Sequence, residues 1–441
     1  MEKLNFKKGN KKVMNAWAFY DWANSVYSLV IVSAIFPIFW SAMTTDESGN
    51  DTVQFLGFNL NNDSLISYIT AAAFLVVAIM SPILSGIADY AGNKKNFMKF
   101  FCYLGALSCI GLSALNNDTI PFGMLCYFLA LIGFWSSLVF YNSYLPDIAH
   151  PEQQDKLSAK GFSMGYIGSV ILLILCLGLV LGYKLFGFKN ETIPTLISFS
   201  LVGIWWAGFS QYTYKHLPNF NTGNKITRNI VFSGYKELLS IWKKIKQNIP
   251  LKRYLGAFFV YSMAVQTIML IATYFGVEEI EWGPSGATTG LIISILVIQL
   301  VAILGAMLTS KIAKKIGNIY TLLAINIAWI CICVIAYFIH TPVQFYATAG
   351  GVGLVMGAIQ SLSRSTYSKF LPQNAVDTTS YFSFYDVSEK IGIVLGMLLY
   401  GILGDYTGSP RYAIIFFAIF FLIGSILLLR VPQKNKVDAI Q

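Results

Sequence analysis

Charged residues are scarce in this sequence of 441 residues: Asp, Glu, Lys and Arg together make up 12% of it, whereas soluble domains carry about 25%. Hydrophobic residues make up 56% instead. Apolar runs such as Phe122–Phe140 and Ala413–Leu429 are long enough to cross a bilayer as helices, which takes roughly 17–25 residues. Alternating apolar and polar strand patterns are missing, which argues against a membrane barrel. The sequence therefore predicts an all-α membrane protein.

Residue patterns that would support several other chemistries are missing as well. All six cysteines lie inside apolar runs, where we expect neither disulfides nor thiolate metal sites. His150, His216 and His340 lie at the ends of apolar runs and lack the spacing of metal ligands. The sequence contains no Walker motif, and no catalytic Ser or His falls beside an acid at one membrane depth. We therefore predict no enzyme, no metal site and no cofactor.

Twelve apolar segments alternate with polar connections, and the charge of these connections alternates too. Most Lys and Arg residues fall on the side that holds the N-terminus, which we call the basic side; the opposite, acidic side is rich in Asp and Glu. The positive-inside rule makes the basic side cytosolic. We expect a multi-pass integral membrane protein with both termini cytosolic, which would lie in the inner (plasma) membrane if the source is prokaryotic. The predicted spans are 14–40, 65–89, 97–115, 121–145, 157–185, 193–214, 253–276, 286–310, 317–340, 342–366, 379–403 and 411–430.

The net charge of +10 follows from this topology and does not indicate a nucleic-acid partner. The longest basic connection, 215–252, separates an N-terminal bundle at 1–214 from a C-terminal bundle at 253–441. Within this connection, Tyr235–Ile249 has the pattern of an amphipathic helix that lies on anionic lipid. A solvated linker is the alternative.

Two stretches of the first half of the chain recur in the second half at nearly equal separations. Ser85–Asn93 parallels Ser310–Asn318, and Tyr141–Ala149 parallels Tyr367–Ala375. A repeat on either side of the linker predicts two pseudo-symmetric bundles of six helices, with a solute site between them near the middle of the bilayer. The repeat thus favours a transporter over other kinds of membrane protein.

The stretch Ser85–Lys95 resembles the loop between spans two and three of the major facilitator superfamily. Asp89, Gly92, Lys94 and Lys95 match the pattern of that loop. The resemblance implies the major facilitator fold of twelve transmembrane helices and a gating role for these four residues. A carboxylate at this helix end can bridge to the neighbouring helix and hold the outward-facing state. A solvated charge at the helix end is the alternative.

Longer segments resemble the fungal vacuolar amino-acid effluxers linked to autophagy and their prokaryotic relatives. Members of that family often carry an acid after a tyrosine in span seven, whereas Tyr261–Ala264 has none, which puts a coupling role for that helix in doubt. The resemblance implies amino-acid efflux. It is carried by Ala16–Ser25, Asn142–Asp147, Ser158–Gly168, Gln360–Ser365 and Tyr385–Lys390.

Ionisable side chains inside membrane spans are costly, and they usually face a cavity or a charged partner. Asp21 lies in the first predicted span, and Asp386, Glu389 and Lys390 lie in the eleventh. Asp386 and Lys390 share a helix face, so we expect them to pair and to leave Glu389 free to bind a proton. Asp21, Asp386 and Glu389 are therefore candidates for proton coupling. A structural hydrogen bond is the alternative for Asp21, and a place at the cytosolic gate is the alternative for the span-eleven charges.

Seven further residues are candidates for a substrate cavity, with helix packing as the alternative for the uncharged ones. Arg364 can bind a carboxylate of the solute or of a gating acid such as Asp386, or it can reach out to the membrane interface. The cavity candidates are Tyr20, Asn24, Asn142, Gln266, Gln360, Arg364 and Lys390. Four tryptophans near predicted helix ends are expected to anchor in the interfacial belt. They are Trp17, Trp40, Trp205 and Trp206.

Taken together, these patterns predict a secondary active transporter that moves a small polar solute by alternating access, coupled to protons. Amino acids are favoured by the resemblance alone. The expected partners are a small-molecule solute, the proton and the lipid bilayer. A non-transporting sensor built on the transporter scaffold and an uncoupled uniporter are the alternatives.

Overall fold

A computed structural model describes residues 7–46, 49, 51–219, 230–283, 286–372 and 375–432, and most of them are helical. Twelve helices in this part of the chain are long and apolar enough to cross a membrane, and we number them span 1 to span 12. They confirm the twelve predicted spans, because each overlaps almost the whole of its predicted range. They run over Lys11–Thr44, Asn62–Ala91, Lys94–Ala114, Asn117–Ile148, Pro151–Leu181, Thr192–His216, Ile249–Glu279, Gly286–Ile316, Asn318–Phe338, Pro342–Phe370, Thr378–Gly404 and Pro410–Leu429.

Two local features near span 1 were not predicted. The middle of span 1, Tyr27–Ala34, is wound as a π-helix. On the acidic side, β1 (Thr52–Phe55) and β2 (Phe58–Asn61) form a small antiparallel hairpin. Leu56 and Gly57 at its tip have φ values of 50° and 87°, as the favoured two-residue hairpin turns require. Neither feature changes the apolar pattern from which the spans were predicted.

The buried side chains form two hydrophobic cores, and the division between them falls at the linker. The first core runs from Val13 to Leu217, and the second from Ile241 to Val431 together with Tyr166 of span 5. We call spans 1–6 the first half and spans 7–12 the second half. Because each half has its own core, one half can move against the other while most of the apolar packing is kept.

The basic connection between the halves contains a helix, Ile230–Gln247, as predicted. Its Ile241 and Ile245 are buried in the second core. Lys244 forms an ion pair with Asp377 at the start of span 11, with 2.6 Å between Nζ and Oδ2. This part of the apolar face therefore packs on the protein, where the sequence led us to expect lipid.

The prediction that tryptophans near helix ends anchor in the interfacial belt is wrong for three of the four. Trp17, Trp40 and Trp206 are all 0% exposed. Trp17 donates its indole N–H to the backbone oxygen of Tyr141 at 2.8 Å, and Trp40 donates to that of Asn62 at 3.1 Å. These rings therefore pack inside the first half.

Candidate functional site

A buried ion pair joins the two halves towards the basic side. Arg364 of span 10 lies 3.3 Å from Asp21 of span 1, measured from Nη2 to Oδ2. The two residues are only 3% and 4% exposed. Tyr141 of span 4 donates its hydroxyl to the same carboxylate oxygen at 2.8 Å. Asp21 is therefore held by one group from each half.

The other hydrogen bonds of Arg364 also cross between the halves. Its Nη1 donates to Oδ1 of Asn142 at 3.1 Å, and its Nε donates to Oγ of Ser158 at 2.9 Å. A planar guanidinium can satisfy several acceptors at once in this way. Arg364 thus bridges to the first half and does not extend to the membrane interface. Its carboxylate partner in this structure is the acid Asp21, and not Asp386, which was the example given from the sequence.

Three aromatic rings surround the guanidinium. Its carbon lies 4.2 Å from the ring centroid of Phe162, 4.8 Å from that of Trp17 and 5.4 Å from that of Tyr141. Aromatic faces attract a cation at such distances, and more strongly when the contact is desolvated. Sequence reasoning missed Trp17 and Phe162 as partners of Arg364, although both lie in segments that carry the family resemblance.

A second charged cluster lies in span 11. Lys390 Nζ is 2.9 Å from Asp386 Oδ1, 3.0 Å from Glu389 Oε2 and 3.6 Å from the ring centroid of Trp135 in span 4. The predicted pairing of Asp386 with Lys390 is thus confirmed. The expectation that Glu389 is free is wrong, because its other oxygen also accepts a hydrogen bond from Gln266 of span 7 at 2.6 Å.

Asp89 caps the first turn of span 11. Its carboxylate accepts hydrogen bonds from the backbone N–H of Thr379 at 3.2 Å and from the N–H and hydroxyl of Ser380, both at 2.7 Å. The N-terminus of a helix favours an anion because its N–H groups are unpaired and its dipole is positive there. Gly92 ends span 2 beside Asp89 with a φ of 66°, a left-handed conformation that suits glycine. This contact has the bridging geometry that the gating hypothesis requires.

The two lysines after Gly92 make different contacts. Lys94 forms an ion pair with Asp147 of its own half and donates to the hydroxyl of Thr378 in span 11 at 3.2 Å. Lys95 donates to the backbone oxygen of Leu217 at 2.9 Å, within the first half. Lys94 therefore contributes to the contacts that close the basic side between the two halves, which we call the closure. The hydrogen bond of Lys95 stays within the first half and does not contribute to them.

A further polar bridge at the basic side was not predicted. Asp155 of span 5 forms an ion pair with Lys369 of span 10 and accepts a hydrogen bond from Nδ2 of Asn318 at 2.9 Å. The internal repeat held the signal, because Asn318 is the counterpart of Asn93 beside Lys94. In each half, the residue that follows this loop thus contacts the opposite half: Lys94 donates to Thr378, and Asn318 donates to Asp155.

The remaining cavity candidates lie in different surroundings. Gln360 of span 10 accepts a hydrogen bond from the hydroxyl of Tyr166 in span 5 at 2.8 Å, across the two halves. Asn24 is buried, at 1% exposed. Tyr20 is fully buried and packs against Tyr214 within the core of the first half. Its contact with solute stays a prediction.

The sequence matches one protein family along almost its whole length. Residues 9–440 match the family described as "Vacuole effluxer Atg22 like". An uncharacterized MFS-type transporter of Bacillus subtilis, YxiO, is 32% identical over 98% of this chain and 97% of its own length. Autophagy-related protein 22-2 of Aspergillus oryzae is 23% identical over 89% of this chain and 78% of its own length.

Solved structures with a similar fold include two transporters of the major facilitator superfamily and one human organic anion transporter. FucP in its outward conformation superposes with a TM-score of 0.68 at 15% identity, over 96% of this chain and 99% of FucP. The proton:xylose symporter XylE gives 0.68 at 11% identity, over 96% of both chains. The human organic anion transporter MFSD10 gives 0.69 at 9% identity, over 96% of this chain and all of MFSD10. These likenesses confirm the predicted fold.

Proposed function

This chain belongs to the Atg22-like vacuole effluxer family, within the major facilitator type of transporter, and from that premise we propose that it carries amino acids across the membrane in a proton-coupled cycle. The two halves rock about the solute and open it alternately to each side of the bilayer. The basic side is the cytosolic side, and both termini lie there.

The ion pair between Asp21 and Arg364 is the observation that carries the coupling proposal. Both groups are buried and belong to opposite halves. While Asp21 is ionised, separating the halves would break the buried ion pair and leave each charge without its counter-charge, which costs several kcal/mol. Protonation of Asp21 removes its charge and so weakens the tie to Arg364. A proton that arrives from the acidic side would thus favour opening of the basic side.

Arg364 keeps other first-half acceptors when Asp21 is neutral. Asn142 and Ser158 accept from its guanidinium, and these are uncharged groups with weaker hydrogen bonds than a carboxylate. Protonation of Asp21 therefore weakens the contact between the halves and still leaves the guanidinium of Arg364 hydrogen-bonded to these two uncharged acceptors.

The polar side chains between the halves suit a small zwitterion better than an apolar solute. Gln360 of span 10 accepts a hydrogen bond from span 5, and Gln266 of span 7 donates one to span 11. Amide groups offer donors and acceptors together. The description of the matched family, a vacuole effluxer, supports transport of a solute and names no particular one.

Flux in proteoliposomes tests the proposal. A thermal-shift screen of the purified protein against amino acids first selects the solute. We expect that solute to accumulate when a pH gradient is imposed. Asp21→Asn should abolish this accumulation while it retains solute exchange at equal pH, because the substituted side chain cannot release a proton. Asp118→Asn, at the exposed acidic-side start of span 4, is the matched control and should transport like the parent protein.

Each other outcome counts against a defined part of the proposal. Gradient-driven accumulation by Asp21→Asn would show that another group carries the proton. Wild-type flux that ignores the pH gradient would indicate an uncoupled uniporter. Binding of an amino acid without any flux would indicate a sensor.

A further inference from the structure

The ammonium group of Lys390 lies in a cage that resembles a binding site for a ligand ammonium. Carboxylate oxygens of Asp386 and Glu389 contact Nζ at 2.9 and 3.0 Å, and the indole of Trp135 lies 3.6 Å below it. Lys390 itself is only 1% exposed. Carboxylates and an aromatic face are the groups that proteins use to bind organic ammonium ions.

The cage holds more acceptor capacity than its lysine fills. Two carboxylates face one ammonium, so the formal charge of the cluster is negative. Beside Lys390, the carboxylate of Asp386 has the hydroxyl of Ser81 in span 2 as a neutral donor, and Asp386 as a whole is 6% exposed. A neutral hydroxyl does not compensate the second negative charge of the cluster, and an uncompensated buried charge is costly. The cluster therefore favours the approach of a second cationic donor.

Three side chains of the cage keep some exposed surface in this structure. The Glu389 side chain is 17% exposed, and Gln266 and Trp135 are partly exposed. These three residues come from spans 11, 7 and 4, so both halves contribute to this surface. A small solute in the central cleft could thus reach the carboxylates past Gln266, which already donates to Glu389.

We propose that this cage is the binding site for the primary ammonium group of the solute, and that Lys390 is a tethered competitor that occupies it between transport cycles. The solute ammonium displaces Lys390 Nζ from Asp386 and Glu389. The freed lysine then pairs with the carboxylate of the same solute. The exchange replaces the two internal ion pairs of Lys390 by three ion pairs with a zwitterion, two at its ammonium and one at its carboxylate, so the site selects α-amino acids over neutral solutes. This inference deepens the proposed function and rests on it for the identity of the solute as an amino acid.

Chemical rescue tests the cage directly, in purified full-length protein and without flux. Lys390→Ala removes Cγ, Cδ, Cε and Nζ, which together correspond to propylammonium. We expect propylammonium chloride to raise the melting temperature of Lys390→Ala by a few degrees, because a ligand that binds only the folded state stabilises it. Its apparent Kd should be at least tenfold lower than for the parent protein, in which Lys390 competes.

Three controls separate a cage from unspecific stabilisation. Tetramethylammonium and propionate should not rescue, because the first has no N–H donor and the second has the wrong charge. Lys160→Ala, which removes a lysine that contacts Asn15 outside the cage, should show no response to propylammonium. Glu389→Gln added to Lys390→Ala should weaken the rescue at least tenfold. Equal rescue by tetramethylammonium, or a melting temperature of Lys390→Ala unmoved by propylammonium, would overturn the proposal.

A second measurement covers the case in which Lys390→Ala does not fold. In the parent protein, an amino acid that displaces Lys390 should change the fluorescence of Trp135, and Trp135→Phe should remove that change. Binding of the amino acid with no fluorescence change assignable to Trp135 would refute the displacement step. The two proposals fail separately: rescue without flux would contradict transport but not the cage, and flux without rescue would contradict the cage alone.

Discussion

At the scale of single residues, the absence of a side chain at Gly161 allows the ion pair between the halves to form. A Cβ atom at this position would lie 2.4 Å from Asp21 Oδ2 and 3.1 Å from Arg364 Nη2. The first distance is far below van der Waals contact, so the carboxylate would have to move. Gly161 therefore allows span 5 to approach the ion pair closely.

We predict that Gly161→Ala lowers proton-coupled flux at least tenfold, because the methyl group displaces Asp21 from Arg364 and overpacking of this kind typically costs about 1–3 kcal/mol. Initial rates in proteoliposomes measure the effect. Gly178→Ala is the matched control in the same helix, since a Cβ there meets no atom within 4 Å, and it should transport normally. Equal rates for the two variants would contradict the role given to this close approach.

Residue-level predictions from sequence succeeded where the partners are close in the chain. Asp386 and Lys390 could be paired because four residues make one helical turn. Arg364 and Asp21 are 343 residues apart. The periodicity of span 10 does not indicate which helix of the first half it faces, and that of span 1 does not indicate its neighbour in the second half. The packing of Tyr20 against Tyr214 could not be predicted for a related reason: a polar group in a span gives no sign of whether it faces the cleft or its own bundle.

At the scale of elements, the closed basic side depends on where one helix begins. Span 11 starts at Thr378, and its first N–H groups are bonded to the carboxylate of Asp89 in span 2. Hydrogen bonds to a charged group contribute about 1.5–3 kcal/mol each. The contact can exist only while the halves are together at the basic side, so its free energy contributes to the closed state alone.

We predict that Asp89→Asn shifts the equilibrium towards opening of the basic side by roughly tenfold or more, which corresponds to about 1.4 kcal/mol. Maleimide labelling of Ser361→Cys measures this, because Ser361 lies 2% exposed behind the closure and its backbone oxygen accepts from Ser158. The exposed Cys331 is first replaced by serine. Labelling should be at least tenfold faster in Asp89→Asn than in Asp118→Asn, and unchanged rates would remove Asp89 from the gate.

The spans themselves were predictable because hydrophobic length is a strong signal in a chain that must satisfy its backbone inside lipid. The π-helical turn at Tyr27–Ala34 was not, since it changes the hydrogen-bond partners within span 1 and leaves its hydropathy as it was. The hairpin at β1 and β2 was missed because each strand has only four residues. The linker helix was predicted from its amphipathic pattern, but that pattern cannot distinguish a protein surface from a lipid surface.

At the scale of the whole molecule, the internal repeat indicated how the closure is built. Lys94, after the loop that follows span 2, donates to Thr378 of the second half, and Asn318, after the equivalent loop of the second half, donates to Asp155 of the first. The repeat could predict that these loops are equivalent. It could not predict the direction of each contact, because the acid at Asp89 has become Lys314 in the second half.

A disulfide bond between the two halves at the basic side should stop transport if the halves must separate at that side during the transport cycle. The hydroxyls of Ser143 in span 4 and Thr379 in span 11 are 3.3 Å apart, so cysteines at both positions place their sulfur atoms near each other, as a disulfide requires. We predict that oxidation of Ser143→Cys/Thr379→Cys lowers flux at least tenfold and that dithiothreitol restores it. Ser210→Cys provides a matched tie inside the first half, because Ser210 Oγ lies 3.5 Å from Sγ of the native Cys102. Oxidation of that variant should leave flux unchanged, since the halves remain free to move. A disulfide between positions 143 and 379 that forms fully and leaves flux intact would show that solute crosses without opening the basic side at span 11.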